Sequence, residues 1–162
     1  MRPEGQIFSA WASLNAVLRE AYVAILSGKP SAREAVLAVV ADLQRLTEAD
    51  PDAALGLVHL LSPKPYATAH PLYCAILTEH LATSLGSTSR ERVPVLAAAL
   101  TCNLASLPYQ ERLGLQRTAL SREQQQHVRR HPDQAVALLR TVGVASPTWL
   151  TIVKQHHERA DG

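Results

Sequence analysis

The chain has 162 residues, 47% of them hydrophobic and only 4% aromatic, which is long enough for one domain whose core is built from Leu, Val, Ala and Ile, as suits packed helices. Sixteen basic and fourteen acidic side chains leave a net charge of +2, which excludes a broad electrostatic footprint for nucleic acid. No apolar run approaches the roughly 20 residues of a membrane span, and the N-terminus lacks the layout of a secretory signal.

Phe8, Trp11, Leu14, Leu18, Tyr22 and Ile25 recur at helical spacing and predict a first helix, ended by Gly28 and Pro30. Ser31-Ala32-Arg33-Glu34 has the pattern of a capping box. It opens a second helix with Val36, Val39, Val40, Leu43 and Leu46 on one stripe. Asp50-Pro51 reads as an N-cap followed by proline at the first helical position, starting a short helix through Leu61. Ser62-Pro63-Lys64-Pro65 then breaks the chain. It divides an N-terminal helical region, 1–62, from a helical domain, 63–162.

A long helix is predicted from Ala67 to Leu85, with His70 near its start and Gly86 as its stop. Ser87-Thr88-Ser89 caps the next helix, with Val93, Leu96, Leu100 and Leu104 as its stripe. Leu107 to Leu115 reads as an irregular or short helical connector. Ser121-Arg122-Glu123-Gln124 caps a helix that should end near Arg130, and His131-Pro132 should start another, with Ala135, Leu138, Leu139 and Val142 inward. Ser146-Pro147 opens the last helix, which runs through Leu150 and Val153 to His156-His157. No segment reads as a strand, so the expected fold class is all-α. Cys74 and Cys102 have no CxxC spacing and read as free thiols of a reducing, cytoplasmic compartment.

The chemistry-bearing residues are histidines. His156 follows Val153 by three positions and His157 follows it by four, so at least one leans towards the core. Asn103 follows Leu100 by three and should also point inward. His131, His156 and His157 can form a three-imidazole site for one ion, or stand as hydrogen-bonded or solvated histidines without metal. His70 reads as a ligand or as a histidine at a helix start, and Cys102 as a ligand or a small buried hydrophobe. Trp11 and Trp149 read as packing residues.

In their order, these motifs resemble the HD-GYP branch of the HD superfamily, bacterial cyclic di-GMP phosphodiesterases. The resemblance covers about residues 66 to 162. It rests on His70 with Leu81-Ala82-Thr83-Ser84-Leu85-Gly86, Ala98-Ala99-Leu100-Thr101-Cys102-Asn103, Leu120-Ser121-Arg122-Glu123-Gln124, His131-Pro132, and His156-His157-Glu158-Arg159-Ala160-Asp161-Gly162. It implies an HD-domain-like helical bundle preceded by an N-terminal helical extension. It also implies metal ligation by His70, His131, His156 and His157, and a dinucleotide contact at Arg159. The family's His-Asp pair, a ligand and a metal-bridging carboxylate, falls at Cys102-Asn103, and its phosphate-holding lysine falls at Ser106. The chain stops at Gly162, ahead of the family's Gly-Tyr-Pro, as a fragment or a truncated homologue would.

Asn103 is neutral and a poor bridge between cations. The expected function is therefore a non-catalytic HD-GYP-like signalling module that works by binding a protein or ligand. The alternative is a metal-dependent phosphodiesterase using one ion on the remaining imidazoles. The expected cofactor is none, or one divalent transition metal (Fe, Mn or Zn). The expected partner is a cyclic di-GMP synthase or other signalling domain, with neither nucleic acid nor membrane. The N-terminal helices either pack on the bundle or mediate a homodimer.

Overall fold

The computed structural model describes residues 4–60 and 66–159. Its elements are α1 (Glu4–Leu26), α2 (Ala32–Ala49), α3 (Pro51–Leu60), α4 (Tyr66–Ser84), α5 (Ser89–Thr101), a 3-10 turn (Leu104–Ser106), α6 (Leu107–Leu115), α7 (Arg122–Thr141) and α8 (Pro147–Gln155). No strand occurs among the described residues, and the fold is all-α.

The apolar stripes are the packing faces. Trp11, Leu14, Leu18, Tyr22 and Ile25 of α1 are buried, as are Val36, Val39, Val40 and Leu43 of α2. Leu96 and Leu100 of α5 join them with Leu104 of the turn. Ala135 and Leu139 of α7 and Val153 of α8 complete the same core. Helix α5 is central, because it packs against α2, α4 and α8. The expected boundary near residues 62 and 63 touches residues outside the described set; the helices on either side of it share one core. No described helix is long and apolar enough to cross a membrane.

The end of α5 is tied down from two sides. The last carbonyls of a helix have no partner within it. Leu100 O accepts a 2.5 Å hydrogen bond from the Tyr22 hydroxyl of α1. Burial holds the Tyr22 pKa well above its usual value, with Cys102 adding to the effect, so the hydroxyl keeps its proton. From the other side, Trp149 Nε1 of α8 donates to Thr101 Oγ1 at 2.8 Å, while Thr101 Oγ1 donates to Ala97 O at 2.7 Å. Both Thr101 and Trp149 are buried.

Two sequence expectations need correction. Ser31 forms no capping box. Its backbone is helical (φ −78°, ψ −1°) and its side chain makes no cap hydrogen bond, whereas a cap needs the extended conformation that aims Oγ at the next turn. The working capping boxes are Thr88 with Glu91 and Ser121 with Gln124, both on extended cap residues. The second correction concerns α7, which does not stop near Arg130 and restart at His131. It runs unbroken from Arg122 to Thr141 with Pro132 inside it. On α4, Leu77 and Leu81 are exposed.

Candidate metal centre

The unbroken α7 explains how His131 is held. Pro132 has no amide hydrogen, so the carbonyl of Val128, four residues back, loses its helical donor. His131 replaces it: Nδ1 lies 2.6 Å from Val128 O. A carbonyl can only accept, so Nδ1 carries the proton and Nε2 is left with a free lone pair. His156 repeats the arrangement at the end of α8, where it is the C-cap. Its Nδ1 lies 2.8 Å from the carbonyl of Val153, one of the orphan carbonyls of that helix end. Its Nε2 is therefore also an acceptor.

The connection between α7 and α8 makes these two atoms meet. Gly143, at φ +81°, takes the left-handed conformation that stops α7. Gly143 N donates to Arg140 O and Val144 N to Leu139 O, each at 3.1 Å. Ser146 Oγ then accepts from Trp149 N and starts α8. His131 lies ten residues before the end of α7, and His156 nine after the start of α8. At 1.5 Å per residue both sit about 15 Å from the turn, and the packed pair of helices brings them level.

His131 Nε2 and His156 Nε2 are 3.1 Å apart. Two lone pairs facing each other at that distance repel unless a cation lies between them, either a shared proton or a metal ion. Burial disfavours the proton. It is the largest cause lowering the pKa of both histidines, and neighbouring imidazoles push both further down, while the Val128 and Val153 carbonyls pull the other way. His157 adds a third imidazole. Its ring centroid is 5.0 Å from that of His131 and 4.1 Å from that of His156. The ligand atoms of all three lie within 4.8 Å of one another, with His131 buried, His156 half-buried and His157 exposed.

This set fits a borderline divalent metal. Nitrogens 3.1 Å apart can both reach one ion at about 2.0–2.1 Å. Backbone carbonyls on the opposite ring nitrogens are the usual orienting partners of metal-bound imidazole. No carboxylate or thiol belongs to the group among the described residues. Asp133, two residues past His131, instead lies 3.7 Å from Lys154 on the surface.

The other predicted site residues lie elsewhere. His70 Nε2 is 3.6 Å from Cys74 Sγ, one turn along α4. Cys102 caps the C-terminus of α5 and is half-buried. Its Sγ donates to Ala99 O and accepts from Asn103 Nδ2, both at 3.6 Å. Burial, then the nearby Cys74, pushes the Cys102 thiol up to about 11, against the pull of hydrogen bonds at Asn103 and its own backbone. It stays a neutral thiol at pH 7 and is a poor ligand in that form. Asn103 is half-buried rather than fully inward, Ser106 is buried in the 3-10 turn, and Arg159 is exposed beyond α8. The string His70, Cys74, Cys102 and Asn103 supplies no anionic ligand at neutral pH.

No protein-family model, curated protein or solved structure matches this chain. The functional reading rests on the three imidazoles and their surroundings.

Sequence reasoning missed the two carbonyl anchors, although a signal was present. His127, His131, Ala135 and Leu139 recur at four-residue spacing straight through Pro132, as one continuous helix would. It also missed Tyr109, whose ring stacks on that of His127 at 3.8 Å with a 32° tilt. No spacing rule links α6 to α7 across a turn.

Proposed function

We propose that this chain is a degenerate HD-GYP-like module of bacterial, cyclic di-GMP-type signalling. It binds one divalent transition metal and works by engaging a protein partner or ligand rather than by hydrolysis. The observation that supports this reading is the facing pair of Nε2 atoms, 3.1 Å apart, with both Nδ1 atoms fixed on carbonyls. An ion held by His131, His156 and His157 would supply Lewis acidity and a polarised water. The chain supplies little else that phosphodiester hydrolysis needs. By the resemblance, the metal-bridging carboxylate falls at the neutral Asn103, so two cations could not be held together against their repulsion. Cys102 keeps its proton at neutral pH. Among the described residues, no carboxylate is placed with the imidazoles to accept a proton from attacking water.

In this reading, Val128 and Val153 fix the tautomers, Pro132 keeps Val128 O open, and the Trp149–Thr101 bond holds α8 in register. The metal is a structural clasp between α7 and α8. The module is cytoplasmic, and its partner is a cyclic di-GMP synthase or related signalling domain. The exposed edge at His157 favours the alternative, a single-ion phosphodiesterase, because a ligand reaches the site from that side.

The two readings separate on hydrolysis of bis(p-nitrophenyl) phosphate and of cyclic di-GMP by zinc-, manganese- and iron-loaded protein. The module reading predicts turnover no faster than that of the His131→Ala variant with any metal. Metal-dependent turnover that His131→Ala abolishes would overturn it in favour of the enzyme.

A further inference from the structure

A second site lies apart from His131, His156 and His157. A cleft of about 490 Å³ opens between α2, the start of α3, α4 and the start of α5, a volume in the range that takes small ligands. Its floor holds a buried ion pair. Glu79 is 3% exposed, and its Oε2 lies 2.9 Å from Arg92 Nε. Arg92 also donates to the Ser87 carbonyl, so its charge is already engaged. Glu79 Oε1 accepts no hydrogen bond from any described residue.

Two polar atoms of the lining, Thr47 Oγ1 and His80 Nε2, are buried with no hydrogen-bond partner among the described residues. Thr47 is 5% exposed. Leaving a buried polar group unsatisfied costs about 1–3 kcal/mol. Such groups in a native protein call for an occupant, since water or a ligand normally satisfies them. At the rim, Glu48 is exposed and makes no ion pair with a described residue. With Arg92 balanced by Glu79, Glu48 leaves the lining net negative. Gln44 and Ser89 are hydrogen-bonded to each other and offer little more.

We infer that this cleft binds a small aliphatic ligand bearing an ammonium group, whose N–H donors satisfy Glu79 Oε1, Thr47 Oγ1 and His80 Nε2. Because the Thr47 and His80 atoms lie beneath the surface of the cleft, the ligand enters by turning those side chains outward, and their unmet hydrogen bonds favour that opening. The site is independent of the metal centre.

The test is calorimetric titration of the full chain with putrescine, a four-carbon diammonium, against 1,4-butanediol, its uncharged counterpart. One saturable putrescine site, at least tenfold tighter than butanediol, is the expected result. Thr47→Val, which keeps the side-chain shape, should weaken putrescine at least fivefold without lowering the melting temperature. Glu48→Gln should weaken it about twofold, and His131→Ala should leave it unchanged. Equal affinity for diamine and diol, no saturation, or putrescine binding untouched by Thr47→Val would each overturn the inference. Glu79→Gln risks unfolding by stranding Arg92, so the test rests on the Thr47 and Glu48 variants.

Discussion

Thr101→Val probes the joint that carries the candidate metal centre. The substitution keeps the shape of a fully buried side chain and removes one oxygen. Two hydrogen bonds go with it. The donation to Ala97 O is dispensable, because that carbonyl lies within a helix and keeps its backbone donor. The Trp149 Nε1–H is different: it is buried, and Thr101 Oγ1, at 2.8 Å, is its acceptor. An orphaned buried donor costs about 1–3 kcal/mol. Valine is also the more apolar residue, which offsets a few tenths, so a loss of about 0.7–2.7 kcal/mol is expected.

Urea unfolding followed by circular dichroism at 222 nm reads this as a lower midpoint. With a slope of about 2 kcal/mol per molar, the shift is roughly 0.4–1.4 M. Trp149→Phe removes the donor itself. In that background Thr101→Val should cost under about 0.5 kcal/mol, giving a coupling energy of about 1–2 kcal/mol in the double-mutant cycle. If Thr101→Val cost the same in both backgrounds, Trp149 would not depend on Thr101, and the proposed tether of α8 to α5 would be wrong.

Other outcomes follow from the same geometry. Pro132→Ala restores an amide that competes with His131 Nδ1 for Val128 O. It should stabilise α7 yet weaken metal affinity by about tenfold, the lower end for losing an orienting partner, as read by competition against a chromophoric chelator. The pKa values of His131 and His156 are lowered by folding, so the unfolded chain takes up more protons below the ordinary value of 6.5. Metal-free protein should therefore hold its stability above about pH 6.5 and lose it as pH falls through that value. Melting curves from pH 8 to 5 test this, and His131→Gln should flatten the loss. A Cys102 thiol raised from 9.0 to about 11 has a thiolate fraction at pH 8 about 100-fold below that of an unshifted thiol. Iodoacetamide should label it at least that much more slowly than free cysteine, as followed by mass spectrometry.

The stripes Trp11–Ile25, Val36–Leu43 and Leu96–Leu100 were legible because each lies on one helical face and buries apolar atoms. The last two histidines were legible as a candidate site because their spacing from Val153 leans at least one of them towards the core. Pro132 misled because proline usually marks a helix start or break, and only the side chain of His131 makes it tolerable inside α7. Ser31 had the letters of a capping box but not the backbone conformation, which its neighbours set. The pairing of Trp149 with Thr101 spans 48 residues and that of Tyr22 with Leu100 spans 78. Hydrophobic periodicity carries no information about such tertiary hydrogen bonds. The Glu79–Arg92 cleft was invisible for the same reason, since its walls come from four helices.

The central claim is that His131 and His156, through Nε2, hold one metal ion together with a ring nitrogen of His157. The most direct measurement is titration of metal-free protein with Co²⁺, reading the visible absorption of the bound ion and its stoichiometry, followed by displacement with Zn²⁺. The account predicts one equivalent bound, displaced by one equivalent of zinc, and lost in both His131→Ala and His156→Ala. Absence of a bound-cobalt spectrum, or binding that survives His131→Ala, would contradict it.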